Sequence, residues 1–341
     1  MKKFALLLTT IMLTFCTFSF VGCKNSQQND KVYLSYLSAS AIMEKLIDDT
    51  LDYGLLPEPA ATKLELVRGA NYTWHRLDVQ AMYDGQKASH PQAVLMVKNS
   101  ILADYPSLIN SVKSRFAENV DWAKQNTSEV ISSVQSVMPS GQTTSLAPVK
   151  ALTSASIDGC KIYWEDAIDE KTAVNSYLNS MIDIGLGMGM EPAEAVGDDF
   201  FYTGNSGENS ASLKNFSFVV PDGAPAIAIA KFIKDNQNFE DGASFSYSVV
   251  EAGDISSYIT NENKKADFVI MPINLASKLY KKHQYTMVSV ITHGNLYLMS
   301  KNVNASGLKD KKIGVTGEGL VPDLTLKMVL KLNNLKWDIV S

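Results

Sequence analysis

Lys214-Asn-Phe-Ser-Phe-Val-Val-Pro-Asp-Gly-Ala-Pro-Ala-Ile-Ala-Ile-Ala-Lys-Phe-Ile233 is the stretch on which the reading of the chain turns. Phe216, Phe218, Val219 and Val220 form an aromatic and β-branched run, the signature of a buried strand. Pro221-Asp222-Gly223 ends it, because Pro fixes φ and Gly tolerates positive φ. Ala226, Ile229, Ala230 and Ile233 then recur at helical spacing, so a helix folds back on the strand. Strand, glycine corner and helix make half of a βαβ unit, whose corner lies at the strand's carboxyl end, where open α/β sheets bind ligands. Taken alone, Asp222-Gly223 serves equally well as a plain turn.

The same alternation continues outward. Toward the carboxyl end the pattern predicts strands at Phe245–Glu251, Asp267–Met271, Met287–Ile291, Leu296–Ser300 and Lys312–Thr316. Helices are expected at Ile255–Asn261 and Asn274–Lys281, and another from Pro322. Trp337–Val340 begins one more strand, and the given sequence stops at Ser341. Toward the amino end, Lys31–Leu37, Leu51–Leu56 and Gln92–Asn99 read as strands. Ser38-Ala39-Ser40 is placed to cap a helix carrying Ile42, Met43, Leu46 and Ile47. Pro106 opens a long helix with Leu108, Val112, Phe116 and Val120 at i+4 intervals. Further helices are expected over Glu129–Val137, Leu146–Ser154 and Glu170–Ile184. Gly185–Gly197 reads as a loose tail and Thr203–Ser212 as a linker.

The 341 residues carry 45% hydrophobic and 20% charged side chains and a net charge of −5. These values suit a two-domain globular protein and give no nucleic-acid footprint. Lys2 and Lys3 precede the uncharged run Phe4–Val21, the n- and h-regions of a secretory signal. Phe20-Val21-Gly22-Cys23 and a polar tract follow. A small residue directly before Cys resembles the lipobox of bacterial lipoproteins, with Phe20 in place of the usual Leu. That resemblance implies residues 1–22 as a lipoprotein signal peptide, lipidation at Cys23 and a tether over 23–30. Once the leader is cleaved, Cys160 is the one thiol besides Cys23, which leaves no disulfide framework. Zinc is not expected either, since Cys160 lacks a CxxC partner and His75, His90, His283 and His293 are scattered.

Several segments together resemble a family. They are Val220-Pro-Asp-Gly-Ala-Pro-Ala226, Ala266-Asp-Phe-Val-Ile-Met-Pro-Ile-Asn274 and Val290-Ile-Thr-His-Gly-Asn-Leu-Tyr-Leu298. With them go Lys312-Ile-Gly-Val-Thr-Gly-Glu-Gly319, Val321-Pro-Asp-Leu-Thr325 and Leu55-Leu-Pro-Glu-Pro-Ala60. The set resembles solute-binding lipoproteins of ABC importers of the nitrate/sulfonate/thiamine-precursor type, over nearly all of the mature chain. His293 stands where many relatives carry Trp. The order departs from the family: residues 31–205 resemble its C-terminal half and 213–341 its N-terminal half, as in a circular permutation. The old ends would join through Ser206–Ser212. A short connection would once have linked Trp337–Val340 to Lys31–Leu37.

The resemblance implies an α/β fold of two periplasmic-binding-protein-like (type II) lobes with a hinge and an inter-lobe ligand cleft. Lobe 1 would comprise residues 213–295 with the helical segment 105–205. Lobe 2 would comprise 31–104 with 296–341. Implied ligand-binding residues are Asp222, Gly223, Ala224, Asn274, Thr292 and Asn295 from lobe 1. From lobe 2 come Thr316, Gly317, Gly319, Ser38, Ser40 and Glu58. The implied function is extracytoplasmic capture of a small polar or heterocyclic solute and its delivery to ABC permease subunits. The protein would be a membrane-anchored monomer, without cofactor, metal or catalytic residue. Few Lys or Arg occupy the corner segments, so an anion would rely on helix N-termini, while Glu58 and Asp222 leave room for a cationic or amine-bearing heterocycle. Two rival readings remain open at this stage: a thiamine-pyrimidine-synthase-like enzyme using His75 or His293, and a non-transport solute sensor. Gly317-Glu318-Gly319 lacks the third Gly of a dinucleotide fingerprint, Pro322 standing there. Met188 and Met190 are better suited to packing than to copper.

Overall fold

Phe216–Val220 lies beside the edge strand of a six-stranded sheet in the computed structural model, which describes residues 31–66, 73–84, 90–212, 214–235, 242–301 and 307–340. The expected leader and tether, with Cys23, lie outside the described residues, as do Leu213 and Ser341. The strands are β1 Lys31–Tyr36, β2 Tyr53–Pro57, β3 His75–Asp78, β4 Pro91–Lys98, β5 Ile162–Asp166 and β6 Asn215–Pro221. They continue with β7 Ser244–Val250, β8 Phe268–Pro272, β9 Tyr285–His293, β10 Leu296–Ser300, β11 Lys312–Val315 and β12 Lys336–Ile339. One sheet runs β5-β9-β4-β8-β6-β7 and the other β12-β1-β11-β2-β10-β3.

Each sheet centres a lobe because its strands are apolar on both faces and must be covered twice. In lobe 1, Phe216, Phe218, Phe245 and Phe268 pack under helices Pro106–Gln125 and Thr127–Ser136. Val219, Val269, Met271 and Val290 on the opposite face pack under helices Lys171–Leu186 and Ile273–His283. In lobe 2, Val32, Leu34, Ile313 and Val315 pack against helix Val321–Leu332. Ile42, Leu46, Leu56 and Leu64 form the other layer. Val321, Leu324 and Met328 of lobe 2 share a core with Val174, Leu178 and Met181 of lobe 1, so an apolar seam joins the lobes along one flank.

The chain passes from one sheet to the other twice, between β3 and β4 and between β9 and β10. This corrects the expected lobe boundary at residue 104. Pro91–Lys98 belongs to lobe 1, antiparallel to β8 through Leu95↔Ile270 and to β9 through Val94↔Val290. Seven consecutive buried residues, Pro91–Val97, fit only inside a sheet covered on both sides. The two passages touch: the Gly294 N–H donates to His90 O at 3.0 Å, and the His90 N–H to Gln80 Oε1 at 3.0 Å.

Other expectations also need correcting. Leu146–Ser154 is not a helix: it holds a single 3₁₀ turn, Val149–Ala151, since Pro148 keeps Ala147 out of the helical region. The helix there is Ser154–Gly159, started by a capping box in which Thr153 and Ser156 bond each other's backbone N–H groups. Gly185–Gly197 is not loose. Its first residues finish the helix at Leu186, and Pro192 and Ala193 are buried. Pro192 sits so close that a Cβ on Gly185 would lie 2.2 Å from it. The linker Thr203–Ser212 is mostly exposed but pinned, with Asn209 Oδ1 accepting from the Ser107 N–H at 3.2 Å. β12 does lie beside β1 in one sheet, with Val32 opposite Trp337. The pair is parallel, however, and parallel neighbours need a crossover of about a dozen residues, so the short connection expected between them is ruled out.

Candidate functional site

The corners after β6, β8, β2 and β9 meet in one cleft of about 260 Å³ between the lobes. Gly223 adopts φ +100° with nothing near its Cβ position, so glycine is needed there for backbone freedom alone. Asp222 beside it does not point an empty carboxylate into the cleft. Its Oδ1 accepts from Thr144 Oγ1 at 2.7 Å and from the Gly223 N–H at 2.9 Å, and its Oδ2 from the Ser145 N–H at 2.6 Å. Asp222 therefore holds the loop that brings Ser145 to the cleft wall.

Glu58 faces it from lobe 2, and its carboxylate is spent too. The side chain is fully buried. Its Oε1 accepts from Arg76 Nη1 at 2.6 Å and Thr62 Oγ1 at 2.9 Å, and its Oε2 from the Thr62 N–H at 3.1 Å. Arg76 also forks onto Glu65 at 2.6 and 2.7 Å and lies over the Tyr297 ring, 5.1 Å from its centroid. Burial works against the guanidinium's charge, but the two carboxylates outweigh it and raise the pKa.

Near the crossings, Gln92 of β4, Thr292 of β9 and Asn295 line the cleft. All three are at least nine-tenths buried. Gln92 Oε1 accepts a long bond of 3.4 Å from the Asn295 N–H. Gln92 Nε2, Thr292 Oγ1 and the Asn295 side-chain amide find no partner among the described residues. Much of the remaining wall is proline: Pro57, Pro59, Pro221, Pro225, Pro272 and Pro322.

Of the twelve expected binding residues, Asp222, Gly223, Ala224, Thr292, Asn295 and Glu58 line this cleft. The other six stand back from it. Asn274 Nδ2 donates to Pro192 O at 3.2 Å and, across the lobes, to Gly319 O at 3.4 Å, while its Oδ1 is buried without a partner among the described residues. The Gly319 N–H is taken by Asp323 Oδ2 at 2.8 Å. Gly317 turns the chain at φ +66° under Leu320, just after Thr316 leaves β11. Ser38 caps its helix through the Ala41 N–H and shares a 3.0 Å hydrogen bond with Ser40. Gln92 and Ser145 were missed in the sequence. Gln92 carried a signal, a lone amide in an otherwise apolar strand.

The histidines do not line the cleft. His90 stacks on Tyr177 at 4.9 Å and His293 on Tyr163 at 3.7 Å. Burial pulls their pKa values down to about 3 and about 4, the nearby His293 adding to the effect at His90. Burial pushes the Cys160 thiol up, with Glu58 and Asp158 adding to it, so this cysteine is no nucleophile. Among the described residues, no group of three or more His, Cys, Asp or Glu could hold a metal ion, and no helix is long and apolar enough to cross a membrane. Such a lining can hold and orient a molecule by hydrogen bonds and packing.

Protein-family models and curated proteins give no match to the chain. Solved structures do. The oligopeptide-binding protein AppA of Bacillus subtilis, crystallised with a nonapeptide, is 10% identical over 77% of this chain and 54% of its own, at TM-score 0.29. NikA of Staphylococcus aureus, with Ni(L-His)2, is 7% identical over 84% and 58%, at TM-score 0.34. A substrate-binding protein of Microbacterium hydrocarbonoxydans, with 4-hydroxybenzoate hydrazide, is 10% identical over 84% and 56%, at TM-score 0.31. The chain thus spans a little over half the length of these proteins. Its own two sheets, joined by two crossings around one cleft, make it a two-lobe α/β molecule.

Proposed function

We propose that this chain is the extracytoplasmic solute-binding component of an ABC importer. It captures a small molecule between its lobes and hands it to permease subunits, and it is held at the membrane by a lipid on Cys23. The observation that carries this reading is the cleft itself. Corners from both lobes face it, and unpartnered polar side chains sit next to the two crossings on which the lobes would move. Its lining pairs no nucleophile with a base, which favours capture over turnover.

Thermal-shift screening of the purified protein against a panel of transported solutes tests the reading. A ligand present at about 100 times its Kd stabilises by about 2.7 kcal/mol, a shift of several degrees. One solute class should produce that shift in the native protein, and the Thr292→Val variant should need more solute to match it. A broad panel that leaves the melting temperature unmoved contradicts the proposal.

A further inference from the structure

We propose, on the reading of the cleft as a solute site, that its ligand is uncharged: a compact apolar body with a single hydrogen-bonding edge. Helix N-termini that face the cleft are natural anion sites, but acidic or hydroxyl groups of the protein already lie at several of them. Ser38 takes the Ala41 N–H, Glu58 the Thr62 N–H and Asp222 the Gly223 and Ser145 N–H groups. Asp323 occupies the first turn of helix Val321–Leu332 and takes the Gly319 N–H. Helices Val321–Leu332 and Ile273–His283 have no side-chain cap, and a neutral carbonyl suits their N–H groups as well as an anion does. Among the described residues the lining holds no Lys, Arg or His.

A cation fares no better. The two carboxylates of the lining, Glu58 and Asp222, each already accept three hydrogen bonds from the protein. An anion would enter a mostly proline and alanine chamber with no countercharge, and a cation would have to share the oxygens of Asp222 with three hydrogen bonds already made, Glu58 being paired with Arg76; burying an ion on those terms is costly. Gln92, Thr292 and Asn295 ask for something else. Their free ends are neutral amides and a hydroxyl, grouped beside the crossings, and polar groups that a bound molecule covers need partners. An amide, lactam or hydroxyl edge satisfies them, and the proline walls hold the apolar remainder.

Ligand-observed saturation-transfer NMR on the full chain separates the possibilities. Three panels of equal-sized aromatic probes are compared, typified by benzamide, benzoate and benzamidinium. Transfer should be strongest to the uncharged panel. Thr292→Val and Gln92→Met, two variants of nearly conserved volume, should each weaken it about twofold to tenfold. Preference for the anionic or cationic panel overturns the proposal while leaving solute binding intact. Uncharged probes that bind both variants as well as wild type overturn the assigned edge. Absence of transfer in all three panels overturns the solute-site reading, and the proposal with it.

Discussion

Gly159 of lobe 1 packs directly on Glu58 of lobe 2, so closely that a Cβ at Gly159 would lie 2.9 Å from Glu58 Cγ. Tyr297 of lobe 2 donates its hydroxyl to Gly159 O at 3.2 Å beside it. The lobes thus meet where the buried carboxylate of Glu58 is locked by Arg76 and Thr62 and cannot swing away. Gly159→Val should hold the lobes apart. Overpacking of this kind costs about 1–3 kcal/mol, and a cost of that size where the lobes meet at the cleft weakens solute binding about fivefold or more. Calorimetry should show that loss, and the melting temperature of the free protein should fall with it.

The crossings predict a pH dependence. His90 and His293 are buried neutral, with His90 Nδ1 and Nε2 and His293 Nε2 lacking partners among the described residues. Their folded pKa values, about 3 and about 4, lie below the ordinary 6.5. Between those limits the unfolded chain binds more protons than the folded one, so this contribution is complete above pH 6.5 and is lost as pH falls toward 4. The slope is up to about 1.4 kcal/mol per pH unit for each histidine. Urea midpoints measured from pH 7 to pH 5 should fall, and His90→Phe should flatten the decline.

Behind the Gly317-Glu318-Gly319 corner, Lys327 and Asp323 form an ion pair at 2.7 Å with both side chains fully buried. Tyr36 completes it, its hydroxyl 2.9 Å from Lys327 Nζ and 3.1 Å from Asp323 Oδ1. Removing one partner strands the other charge, so Lys327→Met should destabilise by about 3–5 kcal/mol. Adding Asp323→Leu should restore more than half of that. Denaturant unfolding of the single and double variants checks both statements.

The sequence was most legible where one force dominated. β6 and the corner at Gly223 follow from an apolar run and a glycine, and the Pro106–Gln125 helix from its i+4 stripe. Strands β3 and β5 escaped because edge strands such as His75–Asp78 carry polar residues and bury only partly. β4 was seen as a strand but placed in the wrong lobe, since its partners β8 and β9 lie over 160 residues away and leave no local trace. Within the site, residue type pointed to the corners but could not reveal who bonds whom. Glu58 and Asp222 look in sequence like open carboxylates, and only Arg76, Thr62, Thr144 and Ser145 show them to be occupied. Asn274 likewise reads as a ligand contact, yet it ties Pro192 to Gly319.

Capture of a solute between the lobes is tested most directly by calorimetric titration with the molecule that copurifies with the protein, identified by mass spectrometry after denaturation. One site per chain is predicted, with affinity about twofold to tenfold weaker in Thr292→Val and in Asn295→Leu. Titrations identical in wild type and both variants, or no heat of binding in any of them, would contradict a site in this cleft.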